Sequence, residues 1–137
     1  MITALAHICF LVRDLEIAEA FYRDALGLTP AFDFINDQGD RFGAYFHIGG
    51  RSFLELFKGE PQAVEGASFA HFCLEVDDLE ATVATLRKRG VEVTDPKLGS
   101  DRSWQAWLAD PDGNRIELHQ YTPESKQTAA LTPHPRP

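Results

Sequence analysis

Two histidines and two glutamates recur at matching places in the two halves of this 137-residue chain. His7 and His71 are 64 positions apart, and Glu55 and Glu117 are 62 positions apart. Each histidine begins a strand-like segment, and each glutamate stands between aliphatic residues of another such segment. Imidazole nitrogens and carboxylate oxygens together are a common ligand set for a divalent metal. The pattern therefore predicts a metal centre formed by His7, Glu55, His71 and Glu117.

The similarity between the two halves extends beyond these four residues. Residues 7–28 and 71–93 share eight identical positions at the offset of 64. Each of these segments begins with a strand pattern and continues with an acidic residue, Asp14 or Asp78, suited to cap a helix. A helical pattern follows and ends at a glycine. The chain is therefore predicted to be a duplication of one structural unit.

The remaining segments complete the same unit in both halves. Alternating patterns and turn residues predict three more strands after each helix. Each half is thus a β-α-β-β-β module, and the fold class is α+β in a single domain over residues 1–121. The modules span about residues 3–58 and 67–121, and the proline-rich residues 122–137 are expected to be a mobile tail. The additional strands are predicted at residues 29–35, 41–48, 52–57, 91–94, 104–109 and 115–120.

Composition excludes several classes of partner and location. The chain has 21 acidic and 13 basic residues, a net charge of −8 that disfavours nucleic acid as a partner. No apolar run is long enough for a membrane span, and no signal peptide is recognised at the start. Two cysteines without a C-x-x-C spacing favour a reducing, cytoplasmic compartment.

Three sequence strings resemble a known family. They are H-I-C-F-L-V-R-D-L, F-Y-R-D-A-L-G-L and the closing D-P-D-G-N-R-I-E-L. They are similar to those of the vicinal oxygen chelate superfamily, also called the glyoxalase/bleomycin-resistance/dioxygenase family, over about residues 4–121. The resemblance implies tandem βαβββ modules that form a glyoxalase-like, eight-stranded, cup-shaped barrel, commonly in a homodimer. The predicted linker of about nine residues permits barrel closure within one chain or by exchange between two chains.

The resemblance also implies a ligand set and a reaction. His7, Glu55, His71 and Glu117 fall on the family's ligand positions, in the order found in bacterial glyoxalase I. It implies a lyase or isomerase like lactoylglutathione lyase that uses a divalent Ni, Zn, Co, Mn or Fe ion. The ion chelates vicinal oxygens of a small carbonyl substrate and stabilises an enediolate-like intermediate during proton transfer. We assign Glu117 as the base, with Glu55 as the second candidate.

Departures from bacterial glyoxalase I leave other activities open. Leu11 and Gly59 occupy positions where that enzyme has an Arg and an Asn for glutathione, so use of glutathione is open. An epimerase of the methylmalonyl-CoA type is one alternative, although those enzymes usually have Gln at the position of Glu55. An Fe(II) dioxygenase with Glu55 as a spectator is another. A non-catalytic small-ligand or drug-binding protein on the same fold is the third.

Several other side chains are weaker candidates for substrate contacts, since each also fits ordinary packing. Four lie on strands near the predicted ligands, and one lies in a loop where its charge would suit an anionic group. Cys9 and Cys73 are interpreted as small buried residues, with a Cys₂His₂ zinc site as the minor alternative, since each cysteine shares a strand face with a histidine. The substrate candidates are Gln105, Trp107, Arg102, His119 and Tyr45.

Overall fold

A computed structural model describes residues 1–62 and 65–131 of the chain. Within these ranges the chain forms eight strands, three α-helices and one π-helical turn. The residues group into two compact units, one of residues 1–68 with 110–112 and one of the remaining residues from 69 onward. The eight strands form two four-stranded sheets rather than one continuous sheet. The predicted α+β class with tandem βαβββ modules is confirmed.

The sheet of the first unit has the strand order β1-β4-β3-β2. Strand β1 pairs with β4 in parallel, and the other two pairings are antiparallel. A parallel pair needs a crossover connection, which explains why the helix and two strands lie between β1 and β4 in the sequence. The elements are β1 His7–Val12, α1 Leu15–Ala20, a π-helical turn Phe21–Ala25, β2 Thr29–Ile35, β3 Arg41–Gly49 and β4 Ser52–Lys58.

Helix α1 begins where the sequence predicts it. The side chain of Asp14 accepts hydrogen bonds from the backbone N–H groups of Glu16 and Ile17, both at 3.0 Å, and so caps the helix. One face of the helical segment, including Tyr22, is buried, and α1 packs against β3 and β4. The core of this unit comprises Phe10, Val12, Leu15, Ala18, Tyr22, Ala44, Phe46, Leu54 and Leu56.

The sheet of the second unit repeats this arrangement in the order β5-β8-β7-β6, with β5 parallel to β8. Asp78 caps α2 by accepting a hydrogen bond from the N–H of Ala81 at 2.9 Å. No helix among the described residues is long and apolar enough to cross a membrane. The elements are β5 Phe72–Glu75, α2 Leu79–Lys88, β6 Lys97–Leu98, β7 Trp104–Ala109, β8 Arg115–Gln120 and α3 Thr128–Leu131.

The strand predicted at residues 91–94 is wrong, since β6 lies at Lys97–Leu98. Thr94 does approach β7, and its N–H donates to the carbonyl of Trp107 at 3.0 Å. The N–H of Trp107, however, donates to the hydroxyl of Thr94 at 2.9 Å instead of to a backbone carbonyl. Pro96 then supplies no N–H at all. A side-chain hydrogen bond and a proline therefore replace the regular ladder at this edge.

The first part of the predicted tail packs against the loop before β7. Ser125 is buried, and its hydroxyl shares a hydrogen bond of 2.7 Å with that of Ser103. The N–H of Lys126 donates to the carbonyl of Asp101 at 2.9 Å, and the amide of Gln127 donates to the Asp101 carboxylate. Residues 132–137 of the predicted tail lie outside the described residues.

Substitution of Tyr22 tests a buried polar contact of the first unit. The Tyr22 hydroxyl donates to the buried carboxylate of Asp110 at 2.7 Å. Tyr22→Phe deprives this carboxylate of a donor, so we expect the free energy of unfolding to fall by about 1–3 kcal/mol. Urea unfolding measures the change, and Tyr121→Phe is the control, with an expected change below about 0.5 kcal/mol. An unchanged stability in Tyr22→Phe would contradict the assigned contact.

The same contact predicts a pH dependence. Burial and the negative charge of Asp110 raise the pKa of Tyr22 far above its ordinary value. As the pH rises above about 10, the unfolded state loses this proton while the folded state keeps it. The stability contribution is therefore complete below that pH and is lost above it. Tyr22→Phe is expected to show a shallower loss of stability in alkaline urea titrations than the unsubstituted protein.

Candidate functional site

The register of the first sheet determines which side chains surround Glu55. In β1 Cys9 is the direct neighbour of Glu55, and in β3 Tyr45 is its direct neighbour. His7 lies two residues before Cys9 and therefore points to the same face of the sheet. The opposite face forms the core with α1. The sheet thus presents a histidine, a thiol, a carboxylate and a phenol together on its non-core face.

His7 and Glu55 form a loose pair on this face. The distance from His7 Nε2 to Glu55 Oε1 is 3.7 Å, and the side chains are 43% and 15% exposed. Burial is the largest cause that raises the pKa of Cys9 to about 11, followed by the neighbouring Glu55 carboxylate as an acceptor and as a negative charge. The thiol is therefore protonated at neutral pH.

The second sheet repeats this register around Glu117. Its direct neighbours are Cys73 in β5 and Trp107 in β7. The distance from His71 Nε2 to Glu117 Oε2 is 3.0 Å, and the Glu117 side chain is 12% exposed. The other carboxylate oxygen, Oε1, lies 3.0 Å from Nδ1 of His119. Glu117 is therefore oriented by two imidazoles, one on each oxygen.

The two units differ behind the carboxylate. The position of His119 in the second unit corresponds to Phe57 in the first, at the offset of 62 that relates the two glutamates. His119 is 8% exposed, and its Nε2 lies 3.7 Å from Oδ2 of Asp101. Hydrogen bonds from Gln127 and from the N–H of Ser103 hold the pKa of Asp101 below its usual range. A second carboxylate thus stands behind His119.

The rest of the non-core face also differs between the units. In the first unit the rings of Phe32 and Tyr45 stack at 4.7 Å, and those of Tyr45 and Phe53 stack at 5.1 Å. In the second unit Trp107 contacts charged or polar groups. The His71 ring meets it edge-on at 4.7 Å, and the Arg115 guanidinium lies 4.1 Å from its ring centre. One face is therefore mainly aromatic and the other mainly charged.

The structure places the predicted substrate candidates in different settings. Tyr45 and Trp107 flank the two glutamates, and His119 contacts Glu117. Gln105 pairs in register with His119, so it lies one step further along the same face. Arg102 lies in the loop before β7 with a φ of 69°, and its carbonyl accepts a hydrogen bond from the Thr122 hydroxyl at 2.8 Å. Its backbone therefore helps to position the C-terminal segment.

The interpretation of the cysteines as buried is wrong. Both Cys9 and Cys73 are exposed free thiols, because they lie on the sheet face opposite the core. Two residues near the glutamates were not predicted. Asp101 lies in the same loop as Arg102, where no repeat or strand alternation marks it. Arg115 lies two residues before Glu117 and shares its face, so strand alternation was a sufficient signal for it.

Two surface depressions lie away from these residues. One of about 300 Å³ is lined by residues that include Asp14, at the N-terminus of α1. The other, of about 290 Å³, includes Asp78 at the N-terminus of α2. Both depressions are formed at the junction between a strand and the following helix, which the duplication repeats. Neither is lined by a residue of the His–Glu pairs.

Comparison with known proteins identifies the family. A model of the glyoxalase/bleomycin resistance protein/dioxygenase superfamily matches residues 4–118, which is most of the chain. The chain belongs to this superfamily. The predicted family resemblance is therefore confirmed.

Relatives within the superfamily have different roles. Metallothiol transferase FosB from Staphylococcus epidermidis is 30% identical over 131 residues, which cover 88% of this chain and 84% of FosB. TnmS3, an antibiotic binding protein from Streptomyces sp. CB03234, is 30% identical with a TM-score of 0.71, covering 88% of this chain and 98% of TnmS3. Lactoylglutathione lyase from Agrobacterium tumefaciens shares the fold, with 24% identity, a TM-score of 0.65 and coverage of 86% and 93%. The superfamily thus contains both metalloenzymes and binding proteins.

The raised thiol pKa values predict slow alkylation of this superfamily member. The pKa of Cys9 is about 11 and that of Cys73 about 12, so thiolate is scarce at neutral pH although the thiols are exposed. At about pH 8 each thiol should react with iodoacetamide at least about tenfold more slowly than a free cysteine, because the lower thiolate fraction outweighs the higher nucleophilicity of a more basic thiolate. Mass spectrometry on a Cys73→Ser variant isolates the Cys9 rate. The further substitution Glu55→Gln should raise the alkylation rate of Cys9. If Cys9 of the Cys73→Ser variant already reacts as fast as free cysteine, the raised pKa of Cys9 is contradicted.

Proposed function

We propose that this superfamily member is a metal-dependent lyase or isomerase of the glyoxalase type. Its substrate is a small carbonyl compound with vicinal oxygens, and its metal ligands are His7, Glu55, His71 and Glu117. The observation that carries the proposal is that each unit presents one histidine and one glutamate, in contact, on the same sheet face.

The spacing of each pair fits two ligands of one ion. Donor atoms about 2.0–2.2 Å from a metal, at tetrahedral or octahedral angles, are about 3.0–3.5 Å apart. The pair in the second unit is 3.0 Å apart and the pair in the first unit is 3.7 Å apart. Small side-chain rotations of His7 or Glu55 would bring the wider pair into this range. Nitrogen and oxygen donors suit Ni, Zn, Co, Mn or Fe.

A bound divalent ion would polarise a carbonyl oxygen and acidify the neighbouring C–H group. The protein then needs a carboxylate that is held toward this carbon and can accept its proton. Glu117 is the proposed base, because imidazoles on both of its oxygens limit its rotation. Glu55 is the second candidate, and its longer contact with His7 leaves it freer to rotate.

A non-catalytic binding role is the main alternative, and one observation favours it. The non-core face of the first unit is covered by stacked rings, among them Phe32, which is 52% exposed. Such a surface suits a flat apolar ligand, and TnmS3 is an antibiotic binding protein of similar sequence. A protein that only binds a ligand, however, would not need two glutamates beside two histidines. An epimerase of the methylmalonyl-CoA type and an Fe(II) dioxygenase are further alternatives that do use a metal.

We propose that the protein acts in the cytoplasm and that it is a homodimer. Both cysteines are free thiols, which suits a reducing compartment. The net charge of −8 argues against a nucleic acid partner. Size-exclusion chromatography with light scattering tests the dimer directly.

Metal affinity tests the proposed ligands. His71→Ala removes one nitrogen donor, so the affinity for Ni²⁺ should fall by at least about tenfold. His47→Ala is the matched control, since its Nε2 bonds the carbonyl of Gly50 at 3.0 Å and is not a proposed ligand. Isothermal titration of the metal-free full chain measures both. Equal affinities in the two variants would exclude His71 as a ligand.

Proton transfer tests the proposed base. Glu117→Gln keeps the size of the side chain but cannot accept the proton, so turnover should fall by at least about 100-fold. Deuterium incorporation from D₂O into a panel of small 2-oxo and α-hydroxy carbonyl compounds, followed by NMR, detects the step without knowledge of the natural substrate. Glu92→Gln, on an exposed residue outside the sheet, is the control. Full exchange in Glu117→Gln would remove the base assignment.

A further inference from the structure

The two oxygens of Glu117 face two different histidines. Oε2 lies 3.0 Å from Nε2 of His71, and this side belongs to the proposed ligand set. Oε1 lies 3.0 Å from Nδ1 of His119, which that set does not use. A carboxylate with one oxygen on each side is suited to bridge two neighbouring sites. The surroundings of His119 therefore need an explanation of their own.

His119 has an unsatisfied nitrogen. The residue is 8% exposed, and its Nδ1 faces the Glu117 carboxylate at 3.0 Å. The other ring nitrogen, Nε2, is buried and has no hydrogen-bond partner among the described residues. It faces Oδ2 of Asp101 at 3.7 Å. A histidine that binds a metal through one ring nitrogen commonly directs its other ring nitrogen at a carboxylate, which is the place that Asp101 occupies.

A thiol completes this arrangement. The Sγ of Cys73, a carboxylate oxygen of Glu117 and a ring nitrogen of His119 all lie within 4.8 Å of one another. Sulfur and nitrogen ligands of one tetrahedral zinc ion are about 3.5 Å apart, so modest side-chain rotations close the set. All of these groups belong to the second unit. The site therefore needs no residue of the first unit.

We propose that Cys73, Glu117 and His119 form a second cation site, which takes a thiophilic divalent ion of the zinc and cadmium class, with Asp101 behind His119 as an outer carboxylate. A thiolate and an imidazole favour such ions over Mg²⁺, Ca²⁺ and Mn²⁺. The negative charge of Glu117 and Asp101 attracts a cation, and the thiol proton of Cys73 is displaced to solvent when the cation binds.

The first unit provides a matched control within the same chain. Cys9 is beside Glu55 in the same register as Cys73 is beside Glu117. Phe57, however, occupies the position that corresponds to His119, so this thiol has a carboxylate neighbour but no such imidazole. A cation bound through sulfur should therefore select Cys73 over Cys9.

Titration of the metal-free full chain with Cd²⁺ tests the site. Binding through sulfur gives an ultraviolet sulfur-to-cadmium charge-transfer band. We expect this band in the unsubstituted protein and in Cys9→Ser, and its loss in Cys73→Ser. His119→Gln should keep the band but weaken Cd²⁺ binding by at least about tenfold. Thermal unfolding of each variant confirms that it is folded, and both cysteines are exposed, so serine is tolerated.

The outcomes separate this inference from the proposed function. A band that survives in Cys73→Ser, or that disappears in Cys9→Ser, overturns the second site. Binding of Cd²⁺ with no sulfur band overturns it as well, and if that binding depends on His7 the proposed function still stands. A sulfur band that is lost in Cys73→Ser supports the second site. If substitution of His7 and Glu55 leaves the affinity for Ni²⁺ unchanged, the proposed function is contradicted while the second site still stands.

Discussion

Each sheet depends on the parallel pairing of the first and last strands of its module. This pairing sets Cys9 beside Glu55 in one unit and Cys73 beside Glu117 in the other. A shift of the register by one residue would turn each glutamate into the core. Buried aliphatic residues oppose that shift, because Leu54 and Leu56 flank Glu55 and Ile116 and Leu118 flank Glu117. Packing of the core thus fixes the chemistry on the other face.

The duplicated framework carries two different surfaces. In the first unit the residue beyond the glutamate is Phe57, which joins an array of aromatic rings. In the second unit it is His119, which lies between Glu117 and Asp101. An aromatic surface favours the apolar part of a ligand, whereas imidazoles and carboxylates favour cations and proton transfer. The difference between the two surfaces comes from substitutions on one face, since the core face needs aliphatic residues in both units.

Most of the fold follows from patterns that are local in the sequence. Asp14 and Asp78 mark the helix starts, and the sequence patterns place β2, β3, β4, β7 and β8 to within one residue. The strand expected at residues 91–94 does not form, because the hydroxyl of Thr94 competes with a backbone carbonyl, a contact that no periodicity reveals. Repetition identified the two His–Glu pairs as candidates. It could not identify Asp101, because its contact with His119 depends on a loop and on hydrogen bonds from the C-terminal segment.

The central claim is that two imidazoles and two carboxylates of this chain bind a catalytic metal. Elemental analysis of the protein purified as expressed tests it most directly, with no need for a substrate. We expect a divalent nickel, cobalt, zinc, manganese or iron ion in stoichiometric amount, and its loss when His7 and Glu55 are both replaced by alanine. A protein that is purified without metal, and that takes up none of these ions on dialysis, would contradict the account and favour a binding role.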